Sequence, residues 1–354
     1  MLCRHPFVRS RDGSVFTSKN PQDWLKGVPF GCGKCLACRV KKRREWTTRL
    51  LLEMLKCDSA CFLTLTYSED SVPLTDSGER TLSKKELQLF MKRFRASLDH
   101  YKRVHVPVRY FAVGEYGSHR TQRPHYHIIL FGVSDLDLDV IRAVNAAWSE
   151  PAKKGQRGTT PSFGLWTLDP LNDKRVAYCA GYVMKKLISP RKYYKNIVSS
   201  TDVGARRYVY EKRVVDRAKS DRDDSGRLVE FRTMSRMPGI GSGFIFDVVA
   251  LWKSSEAFRR VLTASDDVPS TLRAFGRTLF LDRFMKEKLR DLLGIEHDPT
   301  QYYAEVRTQF FDWLNNPAVS HATPFVDYLV HLDDQKFRQL EDRVKRQLQK
   351  RKRI

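Results

Sequence analysis

The sequence has no apolar run that approaches bilayer length, and its opening stretch MLCRHPFVRSRDG lacks the apolar core of a secretory signal. Both absences lead us to expect a soluble chain that stays in the compartment where it is made. No internal repeat is visible, which sets aside repeat architectures. There is no phosphate-binding P-loop: Gly33–Lys34 is followed by Cys35 rather than Ser or Thr, and the upstream glycine is missing. The seven cysteines are odd in number and unevenly spread, which argues against a disulfide framework.

What remains is a chain of 354 residues, 41% hydrophobic, long enough to bury a core and to hold two or three structural units. Its loudest feature is charge. Lys and Arg number 64 against 41 Asp and Glu, a net charge of +23. Such an excess favours a polyanionic partner, most often nucleic acid, although a basic soluble protein needs no such partner.

Three of the cysteines form GCGKCLACR, where Cys32, Cys35 and Cys38 follow a C-x2-C-x2-C spacing. Thiolates at two-residue gaps on a turn suit a soft ion such as zinc, with Cys3 upstream as a candidate fourth ligand. The same residues also read as a Cys-rich turn without metal. Cys57, Cys61 and Cys179 sit among apolar residues and read as packing residues.

Helical spacing of Trp46, Leu50, Leu51 and Met54 predicts a helix over 38–56 with a strongly basic first turn. Alternation predicts a strand in CFLTLTYSED, with Phe62, Thr64 and Thr66 on one face and Leu63 and Leu65 on the other. An amphipathic helix follows, carrying Leu87, Phe90, Met91 and Phe94, with Ser83 and Glu86 as a capping box. Strands VRYFAVGEYG and HYHIILFGV are joined by a short polar link and should pair as an antiparallel hairpin. Then come helix DLDVIRAVNAAWSE, strand FGLWTLDPL and helix DKRVAYCAGYVMKKLIS. Residues 191–236 are charge-rich and read as an irregular or hairpin insertion. In RMPGIGSGF, backbone amides near Arg236, Gly239 and Gly241 could cradle a phosphate, or the segment is a plain turn. From about residue 245 the chain reads as helices. It ends in a basic tail with Leu340, Val344 and Leu348 on one face.

Two constellations carry chemistry. His125 and His127 lie two apart on a strand, so their imidazoles project from the same face. Glu115 lies on the strand expected to pair with theirs, and a compatible register would bring its carboxylate to them. Two His and one carboxylate hold a divalent ion and leave positions open for a phosphate oxygen. Further on, Tyr178, Tyr182, Lys185 and Lys186 share one helix face at i, i+4, i+7 and i+8. Lysines continue the tyrosine stripe, which a core-facing stripe would not do. They would favour phenolate and neutralise charge in a transition state.

The set FLTLTY, GEYG, RPHYH and YCAGYVMKK resembles the HUH endonucleases that initiate rolling-circle replication, and within them the replication initiators of microviruses of the gokushovirus type. PFGCGKCLACR followed by REW, and the loop MSRMPGIG, also resemble that family's pattern. The resemblance covers most of residues 1–245. It implies an α+β fold, an antiparallel β-sheet flanked by helices, with an N-terminal Cys-rich segment and a helical C-terminal region. The corresponding domains are 1–57 (Cys-rich segment and basic helix), 58–190 (endonuclease core), 191–245 (basic insertion and Gly/Pro loop) and 246–354 (helices and basic tail).

For the site, the resemblance implies that His125, His127 and Glu115 bind Mg2+ or Mn2+. Tyr178 or Tyr182 would attack an origin phosphate of single-stranded DNA and form a 5′-phosphotyrosine. Arg123, Arg236, Gly239 and Gly241 would contact DNA. A host polymerase would extend the freed 3′-hydroxyl, and the missing P-loop implies a host helicase. The place of action would be the cytoplasm of an infected bacterium. The alternative is a non-catalytic, zinc-containing nucleic-acid-binding protein, which explains the charge and cysteines but not the tyrosine–lysine stripe. Nothing in the sequence marks an oligomeric state.

Overall fold

The computed structural model describes residues 7–9, 14–17, 28–33, 35–117, 122–150, 160–185, 222–223, 225–263, 267–274, 276–295, 338–339 and 342. The chain divides into two units, one spanning Trp46–Ala250 and the other combining Met1–Glu45 with Leu251–Ile354.

The Trp46–Ala250 unit is built on an antiparallel five-stranded sheet. Its strands are β4 (Ala60–Thr66), β5 (Arg109–Tyr116), β6 (Pro124–Phe131), β7 (Trp166–Pro170) and β8 (Phe231–Met234), in the order β7-β4-β6-β5-β8. The expected β5–β6 pairing is present, and β6 lies at the centre with a neighbour on each side. A central strand packed on both faces needs apolar residues in succession. Ile128, Ile129 and Leu130 supply them and are fully buried. The edge strand β8 was not legible in the sequence. Four residues inside a charge-rich stretch offer too short a pattern, and pairing with β5 is what makes them a strand.

One face of this sheet carries α2 (Lys84–Lys102) and α3 (Leu138–Ala147). Leu87, Phe90, Met91, Phe94 and Leu98 of α2 join Leu63, Leu65, Tyr126, Ile128 and Leu130 in one core. Each such side chain contributes about 1.5–3 kcal/mol on burial. Ser83 caps α2 by accepting a hydrogen bond from the Glu86 amide at 3.1 Å, as its sequence predicted. The Tyr126 hydroxyl is the polar hub of this layer. It accepts from the Ser83 amide at 2.9 Å, donates to the Ser83 carbonyl at 3.0 Å and meets the Tyr67 hydroxyl at 2.9 Å.

The other face carries the alternate residues of the same strands and is covered in part by α4 (Asp173–Lys185). The C-terminal half of α1 (Leu36–Met54) meets this face where Trp46 packs on Phe111, with ring centroids 5.2 Å apart. A tight loop after α3 returns to β4 through Gly164, whose φ is +152°. A Cβ there would lie 2.2 Å from the Thr66 carbonyl oxygen, so the backbone approach requires glycine.

The Gly/Pro loop corrects one expectation. The Gly241 amide does not point outward to meet a phosphate: it is buried and donates to the Glu53 carboxylate at 2.6 Å. Glu53 also pairs with Arg109, which donates in turn to the Pro238 carbonyl at 2.8 Å. Arg49 holds the Ile240 carbonyl at 2.9 Å. A buried carboxylate with no other partner would be costly, and it draws in the nearest amide and guanidinium.

The other unit contains a three-stranded antiparallel sheet, β2-β1-β3, from β1 (Phe7–Arg9), β2 (Val15–Thr17) and β3 (Val28–Phe30). It also holds α6 (Glu256–Thr263) and α7 (Arg283–Leu293), while α5 (Gly243–Ser254) begins in the sheet-bearing unit. The all-helical reading of the region after 245 is corrected by a hairpin of β9 (Thr271–Ala274) and β10 (Arg277–Phe280). A two-residue link containing Gly276 at positive φ permits this turn. Asp282 caps α7, and Asp267 grips Arg290 of that helix through two hydrogen bonds of 2.6 and 2.7 Å. The basic tail at Leu340, Val344 and Leu348 lies outside the described residues. Among those described, no helix is long and apolar enough to cross a membrane.

Candidate metal and nucleophile site

Register settles the position of Glu115. It sits directly opposite His125 in the β5–β6 pair, and Val113 sits opposite His127. Directly paired residues share a face, so the carboxylate and both imidazoles project together. Glu115 Oε1 lies 2.6 Å from His125 Nε2 and 3.2 Å from His127 Nε2. Glu115 is 3% exposed and His127 7%, so water competes little for them.

The remaining ring nitrogens are held from behind. His125 Nδ1 donates to the Arg123 carbonyl at 3.0 Å, which leaves Nε2 as the lone-pair nitrogen of the neutral ring. His127 Nδ1 contacts the Thr64 hydroxyl at 3.1 Å across the β4–β6 pair. Orientation of a metal-binding imidazole through its distal nitrogen is the pattern expected of a preformed site. The three donor atoms lie within 4.8 Å of one another. Two nitrogens and one carboxylate oxygen converging on one point fit a divalent cation with open positions.

Helix α4 brings Tyr178 onto this face. Its hydroxyl lies 3.4 Å from His127 Nε2, and its ring meets His127 edge-on with centroids 5.2 Å apart. Phe62 stacks on His127 at 5.4 Å and meets the Tyr178 ring at 6.4 Å, fixing both. Tyr182 and Lys185 lie further along α4, one and two turns on, and Lys186 falls outside the described residues.

Other residues singled out from sequence take varied positions. Arg123 borders the site, with its guanidinium paired to Glu69 at 2.8 Å. Arg236 is exposed on the Gly/Pro loop beside Gly239. Cys32, Cys35 and Cys38 come together in the other unit, and Cys3 lies outside the described residues. Cys61 and Cys179 are buried as expected, and burial raises both thiol pKa values, that of Cys61 to about 12.

Sequence reasoning missed three contributors. Strand alternation puts Thr64 and Phe62 on the correct face, yet nothing in the pattern assigns them a role. Arg232 of β8 pairs with Val113, so it stands in the same cross-strand row as His127. Its guanidinium stacks on Trp46 at 5.0 Å, with Arg49 on that ring at 4.8 Å. Burial, then the neighbouring Arg49 charge, lowers the Arg232 pKa. Two guanidiniums on one indole beside the metal-facing row form a ready seat for a backbone phosphate.

Residues 60–187 match the family model of the replication-associated protein ORF2. The chain is 31% identical over 182 residues to the replication-associated protein VP4 of Bdellovibrio phage phiMH2K, covering 49% of this chain and 53% of that protein. It is 31% identical over 185 residues to the replication-associated protein ORF2 of Spiroplasma virus 4, covering 51% and 56%. Against the replication-associated protein ORF4 of Chlamydia phage 1 the figures are 27% over 164 residues, 45% and 39%. The matches thus span about half the length of the first two relatives. No solved structure matches.

Proposed function

We propose, from the premise that this chain is a replication-associated protein of the microvirus type, that it nicks and rejoins single-stranded origin DNA through a tyrosine nucleophile. The observation that carries this reading is the Tyr178 hydroxyl 3.4 Å from His127 Nε2, at the edge of the Glu115–His125–His127 cluster.

Glu115, His125 and His127 would hold Mg2+ or Mn2+. When bound, the ion supplies positive charge to a non-bridging phosphate oxygen. Tyr178 supplies the nucleophile. Its phenolic oxygen bonds to phosphorus as the bond from phosphorus to the 3′-oxygen breaks, leaving a 5′-phosphotyrosine and a free 3′-hydroxyl. The phosphoester is conserved, so resealing requires no nucleotide. A phenol has an ordinary pKa of about 10, so lowering the cost of phenolate is part of the task. Lys185 and Lys186 follow on the same helical stripe and would share it.

Tyr182 stands one helical turn from Tyr178, about 6 Å along the axis. It would serve as the second nucleophile, cutting and rejoining after one round. Arg123, Arg236 and Arg232 would hold the strand. A host polymerase would extend the 3′-hydroxyl while a host helicase unwinds, in the cytoplasm of the infected bacterium.

The test offers a labelled origin-like single strand with Mn2+ and looks for a covalent adduct. Wild type should form it, Tyr178→Phe and Tyr182→Phe should lose part or all of it, and the double variant should form none. An adduct in the double variant would remove the tyrosine assignment. No metal-dependent adduct from wild type would favour a non-catalytic nucleic-acid-binding protein.

A further inference from the structure

The nicking chemistry leaves the cysteine cluster without a role. Cys32, Cys35 and Cys38 bring their three sulfur atoms within 4.8 Å of one another. They belong to the unit that contains Met1–Glu45, whereas Glu115, His125 and His127 belong to the other. We propose that the three thiolates bind a single zinc ion that ties the end of β3 to the start of α1.

Local geometry is shaped for a metal. Cys32 lies two residues past β3, and Cys35 immediately precedes α1. Between them Gly33 adopts φ +70°, which turns the chain back on itself. That turn lets the Cys35 amide donate to Cys32 Sγ at 3.3 Å, a bond that favours the thiolate. A Cβ on Gly31 would lie 2.8 Å from Cys38 Sγ, so the third sulfur occupies space that only glycine leaves open.

Charge supports the same conclusion. The first turn of α1 holds no acidic residue. Arg39, Lys41, Lys42, Arg43 and Arg44 follow at once, against the helix dipole. Cys35 and Cys38 put two thiolates at that N-terminus, where the dipole lowers thiol pKa. Three thiolates on Zn2+ carry a net negative charge, which offsets both the helix end and the basic turn.

The sulfur spacing separates a single ion from an iron–sulfur cluster, for which C-x2-C-x2-C is equally a sequence signature. Tetrahedral zinc with bonds of about 2.3 Å places its sulfurs about 3.8 Å apart. Thiolates bound to separate irons of a cluster stand farther apart than the cysteines do here. The present spacing closes on one ion with little movement.

The full chain, expressed in zinc-supplemented medium and dialysed, should contain about one zinc per chain by elemental analysis. Replacement of zinc by Co2+ should produce thiolate-to-cobalt charge-transfer absorption. Cys32→Ser, Cys35→Ser and Cys38→Ser should each lose most of the zinc, while His127→Ala should keep it. Should a serine variant not fold, chelation of the wild-type chain followed by Co2+ reconstitution gives the same spectral readout. Iron with acid-labile sulfide, retention of zinc in all three serine variants, or a wild-type chain that takes up neither zinc nor cobalt would each overturn the proposal.

Discussion

The Tyr178 hydroxyl lies 3.4 Å from His127 Nε2, and the same nitrogen lies 3.2 Å from Glu115 Oε1. A nucleophile and two metal-binding atoms therefore share one point. Replacing Glu115 by Gln keeps the shape but removes the charge. We expect adduct formation to fall by about 100-fold or more at fixed Mn2+. The Mn2+ concentration for half-maximal rate should rise. An unchanged metal dependence would detach Glu115 from the site.

Thr64 offers a subtler test. It touches no substrate, yet its hydroxyl meets His127 Nδ1 at 3.1 Å. Thr64→Val preserves the β-branched shape and removes the hydrogen bond. Loss of an outer partner of a metal-binding histidine costs about 10- to 100-fold in affinity. A Mn2+ titration by calorimetry should show a loss in that range while the melting temperature moves little.

Glu53 anchors the Gly/Pro loop by holding Arg109 and the Gly241 amide together. In Glu53→Leu the guanidinium and the buried amide lose their acceptor. Breaking such a pair on one side costs about 3–5 kcal/mol. Urea denaturation should show a loss of stability of that size, with Gly241 amide exchange accelerated.

Tyr126 and Tyr67 share a buried hydroxyl pair at 2.9 Å. Burial first of all raises both phenol pKa values above their ordinary 10. The native pair thus stays neutral where the unfolded chain ionises. Their contribution is complete below pH about 10 and declines above it. Tyr126→Phe should cost about 1–3 kcal/mol at neutral pH, because the Ser83 amide and carbonyl both lose the hydroxyl they share. It should also flatten the alkaline end of the stability curve.

Asp267 governs the acid end for the unit that contains α7. Hydrogen bonds from Arg290 hold its carboxyl down from an ordinary 3.8 to about 2. A depressed native pKa stabilises above the unfolded value, and that stability disappears as pH falls through about 2. Asp267→Asn should remove this dependence, seen as a smaller loss of stability between neutral pH and pH about 2 in urea melts.

Much of the site was legible because it depends on local geometry. A strand sends alternate side chains to one face, so the spacing of His125 and His127 already placed two imidazoles together. Helical periodicity put Tyr178 and Tyr182 on one stripe, and the cysteine spacing marked a metal-sized turn. The elements around β4, α2, β5, β6 and α4 followed from the same two periods, together with the Ser83 cap. What failed was short or non-local: β8, the β9–β10 hairpin and the orientation of the Gly241 amide.

The sequence by itself determined which side chains share a face of a given strand or helix, since backbone dihedrals set that within a few residues. Only the tertiary structure decided which faces meet. A one-residue slip of β5 against β6 would have sent Glu115 to the opposite side of the sheet, and the register that prevents it depends on packing of the whole sheet. Thr64 reached His127 only through the β4–β6 pairing, and Arg232 joined their row from more than a hundred residues away through β8. Glu53 took the Gly241 amide because burial left that carboxylate no better partner. Long-range pairing is chosen by the summed burial of many residues, and no local pattern encodes that sum.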